Sequence, residues 1–209
     1  MTFAQRINGG LRRIPTWPVY VFGLGVPLWY LYLAITGQMG VEPINALERA
    51  LGLAAMQMLV AVLAVTPLRK LTGVSLVKYR RAMALVFFFW VVCHLLAWAI
   101  LDLQRIDRIW ADIVKRPYIT IGMVGFVLAI PLAVTSNNLS IRKMGPMRWR
   151  KLHKLTYPIA VLGAVHFVMV QKVWELEPLL YLVGIISLIT LRVPGLRIPW
   201  PVKPAAKTT

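Results

Sequence analysis

Three histidines, at positions 94, 153 and 166, are the residues of this 209-residue chain best suited to chemistry. An imidazole can carry a proton, ligate a metal through a neutral ring nitrogen, or tie two helices together by hydrogen bonding. His94 and His166 lie within long apolar runs, whereas His153 sits in the basic stretch Trp149-Arg150-Lys151-Leu152-His153-Lys154. No Asp, Glu, Lys or Arg lies deep in an apolar run. That counts against an ion-coupled transporter or proton pump, which needs an ionisable relay at membrane depth. Cys93 is the only cysteine, so an internal disulfide and a thiolate metal cluster are excluded.

The elements that must position these residues follow from composition. Apolar residues make up 59% of the chain and charged residues only 15%. A soluble domain of this size cannot bury so much hydrocarbon. Six segments approach the roughly 20 apolar residues that cross a bilayer as helix: about 18–36, 50–68, 82–101, 118–135, 152–170 and 178–191. Prolines 27, 131 and 158 fall inside spans, which membrane helices tolerate. The net charge of +17 divides unevenly between the two sides. Eighteen of the 24 Lys and Arg lie on one side, in the N-terminus, the loops after spans 2 and 4, and the tail, with no acid among them. All seven acids lie on the other. The positive-inside rule therefore puts both termini in the cytoplasm and explains the charge without a nucleic-acid partner. The first span is expected to be retained rather than cleaved, because its apolar run exceeds an ordinary signal core.

In such a bundle His94 lies 7 residues before the outer end of span 3. His166 lies 4 residues before the outer end of the oppositely running span 5. At about 1.5 Å per residue, the two rings sit at similar depth on the outer side of the midplane. Two neutral imidazoles from antiparallel helices can take both axial positions of an iron porphyrin, leaving no open site for substrate, so that such a haem carries electrons. They can equally well be interhelical hydrogen-bonders. With no C-x-x-C-H in the chain, a haem would be held by coordination and packing alone. Phe87, Trp90 and Trp98 on the face of His94, and Gly163 one turn from His166, suit a flat macrocycle or simply pack helices. His153 is 13 residues from His166, about 20 Å along the axis and rotated by about 140°, unless Pro158 re-aims the turn. Fourteen residues before His94 stands Arg80, which offers His153 no histidine partner.

Several stretches combine into a recognisable pattern. They are Pro43-Ile44, Thr66-Pro67-Leu68, Arg80-Arg81, His94-Leu95, Arg116-Pro117-Tyr118-Ile119-Thr120-Ile121-Gly122, Thr135-Ser136, and Trp149-Arg150-Lys151-Leu152-His153 followed by Tyr157 and His166. Over residues 18–192 the sequence resembles the ferric-reductase and NADPH-oxidase-like transmembrane group, and within it the MsrQ-type haem-binding subunits of bacterial periplasmic methionine sulfoxide reductase systems. The resemblance implies a b-type cytochrome with one or two haems, and it carries the family's histidines onto His94, His153 and His166. It also implies FMN binding, location in the bacterial inner membrane, and a periplasmic molybdopterin-containing reductase subunit as electron acceptor. The donor it implies is the quinone pool or a cytoplasmic flavin reductase. Larger relatives carry two histidine pairs and a cytoplasmic nucleotide-binding domain. This chain has three histidines, and about 17 residues follow the last span, so reducing equivalents are expected from another molecule.

The sequence thus predicts an all-α integral membrane protein: a haem-binding bundle of six transmembrane helices over residues 18–192. A basic cytoplasmic N-terminus (1–17) and a cytoplasmic tail (193–209) flank it. It is expected to act as an electron-transfer subunit rather than a catalytic one. His94 and His166 would be axial ligands of an outer haem, with His153 at a second haem or flavin site. Between spans 3 and 4, Leu103, Ile106, Trp110 and Ile113 recur at helical spacing, with Arg105, Arg108 and Asp112 on another face. That pattern predicts an amphipathic helix on the outer membrane surface. With the loop 171–178 it would form the docking face for the partner. The basic inner loops would attract a flavin phosphate, haem propionates or anionic lipid. The rival reading is a non-redox membrane protein, a small transporter or assembly factor, whose histidines only pack.

Overall fold

The computed structural model describes residues 3–171, 173 and 175–192. Lys172 and the tail 193–209, with Arg197, Lys203 and Lys207, lie outside them. The described residues form helices and no strand. In chain order these are α1 (Phe3–Arg13), α2 (Trp17–Ile35), α3 (Pro43–Thr72), α4 (Arg80–Leu96), α5 (Ile106–Lys115), α6 (Pro117–Val134), α7 (Asn138–Met144), α8 (Pro146–Leu152), α9 (Thr156–Val170) and α10 (Leu176–Thr190). A π-helical turn, Ala97–Leu103, extends α4, and a 3₁₀ turn, His153–Leu155, joins α8 to α9.

Five helical segments are long and apolar enough to cross a membrane: Trp17–Ile35, Pro43–Thr72, Arg80–Leu103, Pro117–Val134 and Pro146–Val170. The protein is a multi-pass membrane protein. The sixth apolar helix, α10, has 15 residues, about 22 Å of rise, less than the roughly 30 Å hydrocarbon core.

α3 is the centre of the bundle. It carries more buried side chains than any other helix, including Leu47, Leu51, Ala54, Leu59 and Leu63, and packs on α2, α4 and α10. Its 30 residues exceed the apolar run read from the sequence, 50–68, at both ends. The hydrophobic stretch marks the part that meets lipid, whereas backbone hydrogen bonding continues past Glu48, Arg49, Arg69 and Lys70. α4 packs on α3 and α6, and α9 on α6 and α10, with only a light contact to α3. α3, α4, α6 and α9 therefore form the corners of a square, with α4 and α9 on one diagonal.

Two local features depart from the sequence reading. The N-terminal segment forms the helix α1, tied down by Asn8, whose side-chain amide donates to the Gly73 carbonyl and accepts from the Ser75 N–H. Lys78 donates to the carbonyls of Arg12, in the last turn of α1, and Ile14, just past its end. Paired glycines 9 and 10 weaken the intrinsic helix signal here, and tertiary contacts override it. The amphipathic helix between the third and fourth spans is present but starts later than expected. Leu103 belongs to the π turn, where the Gln104 N–H reaches five residues back to the Ala99 carbonyl. Gln104 then adopts a left-handed conformation (φ 59°) that redirects the chain into α5. Ile106 and Trp110 on α5 are 86% and 69% exposed, and Ile113 is half-buried.

A histidine pair between diagonal helices

The imidazoles of His94 on α4 and His166 on α9 reach toward each other across the square, their ring centroids 6.4 Å apart with planes at 76°. Each leans on a different wall. Nδ1 of His94 lies 2.9 Å from the Glu48 carbonyl of α3, and Nδ1 of His166 lies 2.7 Å from the Tyr118 carbonyl of α6. A carbonyl oxygen only accepts, so both Nδ1 atoms carry the proton, and the lone pair of each neutral ring sits on Nε2. Four residues beyond each carbonyl stands a glycine. A Cβ on Gly52 would come within 3.1 Å of the His94 ring, and one on Gly122 within 2.9 Å of His166 Nδ1. The missing side chains let both rings approach the backbone of the neighbouring helix.

Both rings are half-buried, and among the described residues no buried side-chain nitrogen or oxygen lacks a partner. Neither Nε2 has a hydrogen-bond partner among the described residues, and neither is fully buried. Two metal–nitrogen bonds of about 2 Å, together with the distance from each nitrogen to its ring centre, account for a 6.4 Å centroid separation. The donor set is two neutral imidazoles with backbone partners on their far nitrogens, the arrangement that fixes tautomer and ring orientation in metal-bound histidine. Among the described residues no group of three or more His, Cys, Asp or Glu is placed to hold a bare metal ion. A metal that brings its own equatorial ligands fits this pair; one that relies on protein ligands does not.

Comparison with known proteins places the sequence in a family. Residues 51–164 match the family model described as ferric reductase like transmembrane component. The chain is similar to the protein-methionine-sulfoxide reductase heme-binding subunit MsrQ of Brucella anthropi, at 45% identity over 176 residues, 84% of this chain and 79% of the relative. It is 46% identical to the MsrQ subunit of Brucella ovis over 178 residues, 84% of this chain and 80% of that one. The chain belongs to the MsrQ family of ferric-reductase-like transmembrane proteins. No solved structure matches it.

In this MsrQ-family chain the third histidine is built differently. His153 lies on the 3₁₀ turn, outside the helical register of α9, where Pro158 has no N–H to continue the ladder. Its ring stacks on Trp149 at 3.8 Å, and its Nε2 lies 3.1 Å from Thr135 Oγ1. The single Thr135 hydroxyl hydrogen goes to the Pro131 carbonyl at 2.6 Å. The hydroxyl can therefore only accept from His153, which must protonate Nε2 and keep its lone pair on Nδ1. His153 thus holds the tautomer opposite to that of His94 and His166. It is half-buried rather than solvated, and Trp149 Nε1 donates to the Thr135 carbonyl to close the cluster.

Two residues expected to suit a flat ring face elsewhere. Trp90, 3% exposed, turns to α2, where its Nε1 donates to the Gly23 carbonyl. Gly163 faces Met56 and Leu59 of α3, so its missing side chain serves helix packing. The residues that sequence reasoning missed are Gly52 and the carbonyls of Glu48 and Tyr118. Tyr118 and Gly122 stand in the stretch Arg116–Gly122 that carries the family resemblance, but Gly52 has no such flag.

Proposed function

We propose that this protein is a membrane b-type cytochrome subunit in which His94 and His166 are the axial ligands of a haem. The observation that carries the reading is the His94–His166 pair, 6.4 Å between ring centres with both Nδ1 atoms committed to backbone carbonyls. The haem supplies one-electron oxidation and reduction. The chain's own residues hold both rings in place through the Nδ1 hydrogen bonds to the Glu48 and Tyr118 carbonyls and leave each Nε2 lone pair free to ligate. With His94 and His166 both holding it, the group would exchange electrons and offer no position to a substrate.

The names of the MsrQ relatives support a partnership with a protein-methionine-sulfoxide reductase. In this reading the subunit carries electrons across the bacterial inner membrane from the quinone pool or a cytoplasmic flavin reductase. The acceptor is a periplasmic molybdenum-cofactor subunit that reduces methionine sulfoxide in oxidised proteins. α10 serves as a sixth span, and both termini lie in the cytoplasm, in keeping with the clustering of Lys and Arg on one side. His153 marks the inner end, where a second haem or an FMN would receive the electron. The outer helix α5, with Asp107 held ionised below the usual carboxylate range by its hydrogen bonds from Arg105, forms part of the docking face.

The test is the visible spectrum of detergent-purified protein from haem-sufficient cells. A Soret band with sharpened α and β bands on dithionite reduction is expected, and His94→Ala or His166→Ala should abolish or shift it. A pyridine haemochrome assay with a parallel flavin assay counts the cofactors. A correctly inserted but colourless protein would overturn the reading in favour of a non-redox membrane protein.

A further inference from the structure

The stretch Arg116–Gly122 does more than supply the Tyr118 carbonyl and the Gly122 seat. Arg116 is the joint between α5 and α6. Its N–H closes α5 on the Asp112 carbonyl at 3.0 Å, and its carbonyl opens α6 by accepting from the N–H groups of Ile119 and Thr120. Its own backbone is extended (φ −115°, ψ 100°), and Pro117 follows at the start of α6, a position that suits a residue with fixed φ and no N–H. The side chain repeats the connection. Arg116 Nε lies 3.3 Å from Asp112 of α5, and Nη1 donates to the Tyr118 hydroxyl at 3.1 Å. Fully exposed ion pairs contribute little, but the Asp112 side chain is only 17% exposed, so this one is partly withdrawn from water.

Thr120 makes a second tie between the same two helices. Its Oγ1 donates to the Ile113 carbonyl of α5 at 2.5 Å. That carbonyl is free because the residue four positions on is Pro117, which has no N–H to offer it. The first turn of α6 is therefore held against the last turn of α5 on either side of Tyr118 in the chain. The Tyr118 carbonyl lies 2.7 Å from His166 Nδ1, and the Tyr118 ring lies 6.3 Å from the imidazole. The oxygen is placed only as firmly as the turn that carries it. A hydrogen bond on the far nitrogen of a ligating histidine fixes the ring and raises its basicity.

On the reading that His94 and His166 hold a haem, we infer that Arg116 and Thr120 are positioning residues. They hold the Tyr118 carbonyl against the His166 Nδ1–H and so set the donor strength of His166 toward the iron. A firm bond makes the imidazole a better donor and favours ferric iron. A slack one favours ferrous iron and raises the midpoint potential. Removing a nearby cation acts in the opposite sense, because ferric iron carries the larger positive charge.

The test is a redox titration of the full chain, purified with its haem and followed by its visible spectrum. Thr120→Val keeps the side chain's shape and loses the hydroxyl. It should shift the reduction equilibrium toward ferrous iron about three- to tenfold, the scale of one hydrogen bond, or about 30–60 mV for one electron. Thr120→Ser retains the hydroxyl and should titrate like wild type. Arg116→Gln should shift in the same direction as Thr120→Val. Lys115→Gln removes an equal charge from an exposed neighbour that has no partner among the described residues, and it should not raise the potential. The proposal is overturned if Thr120→Val and Arg116→Gln both titrate like wild type, or if Thr120→Ser shifts as far as Thr120→Val. A fall in potential in Arg116→Gln matching that in Lys115→Gln overturns it too, since Arg116 would then act only as a distant charge. A colourless wild-type protein would overturn the haem reading itself, whereas a haem-bearing wild type with unmoved variants overturns the positioning role alone.

Discussion

The Arg192 guanidinium caps the Leu63 carbonyl, and that carbonyl is free because the residue four positions on is Pro67. A proline inside a helix removes the N–H that would close the i→i−4 bond and pushes the preceding turn open. In a membrane no water is available to satisfy the orphaned oxygen. The Thr66-Pro67-Leu68 stretch and the end of the last helix are thus one structural unit, 125 residues apart in sequence.

This coupling predicts a non-additive double-mutant cycle. Arg192→Met should destabilise the detergent-solubilised protein by about 2 kcal/mol, the scale of a lost charge-assisted hydrogen bond. In a Pro67→Ala background Leu63 regains its helical partner, and the same substitution should cost less than about half as much. Chemical denaturation with a common end state reads both. Equal costs in the two backgrounds would separate Arg192 from the proline break.

The two glycine seats should differ in sensitivity. Gly122→Ala puts a Cβ 2.9 Å from His166 Nδ1, whereas Gly52→Ala puts one 3.1 Å from the nearest His94 atom. A ring held by its own hydrogen bond yields little, so Gly122→Ala should displace His166 and weaken haem retention about tenfold, the effect of losing one buried hydrogen bond. Gly52→Ala should leave the haem bound with a shifted midpoint potential. Electron paramagnetic resonance and redox titration distinguish displacement from simple misfolding. Identical spectra in both variants would refute the seating argument.

The tautomer assignment makes a separate prediction for His153. Thr135→Val removes the acceptor for its Nε2–H while keeping the side chain's shape. It should destabilise the inner cluster by about 1 kcal/mol and leave the spectrum of the His94–His166 pair intact. His153→Ala should likewise spare that low-spin signature. Loss of the outer signature in either variant would show that the two sites are one.

On α5, Trp110→Ser should slow electron delivery to a purified partner several-fold with no change in the visible spectrum, because the 69% exposed ring makes no contribution to the core. Asp112→Asn should act in the same direction by releasing Arg116, which sits 3.3 Å from it. Stopped-flow oxidation of the reduced subunit by the partner measures both. Unchanged rates in both variants would move the docking face elsewhere.

Membrane residence, the approximate helix boundaries and the matched depth of His94 and His166 could all be read from the sequence. Each follows from local counting: apolar run length, charge between runs, and rise per residue. The amphipathic period of α5 was legible for the same reason, although the π turn shifted its start. Rotation about each helix axis was not legible. Periodicity placed Trp90 and Gly163 beside the histidines, yet both turn toward other helices, because membrane helices that are apolar all round carry no signal for which face meets which neighbour.

The tertiary structure alone decided what holds each ring. The seat of His94 comes from Glu48 and Gly52, and that of His166 from Tyr118 and Gly122, each pair about 45 residues away along the chain. Such seats depend on a backbone carbonyl, a group every residue carries, so no residue type announces them. Composition dictated that the chain must span a bilayer and left two imidazoles at one level. The packing of four helices then chose their tautomers, their separation and the direction in which each lone pair is offered.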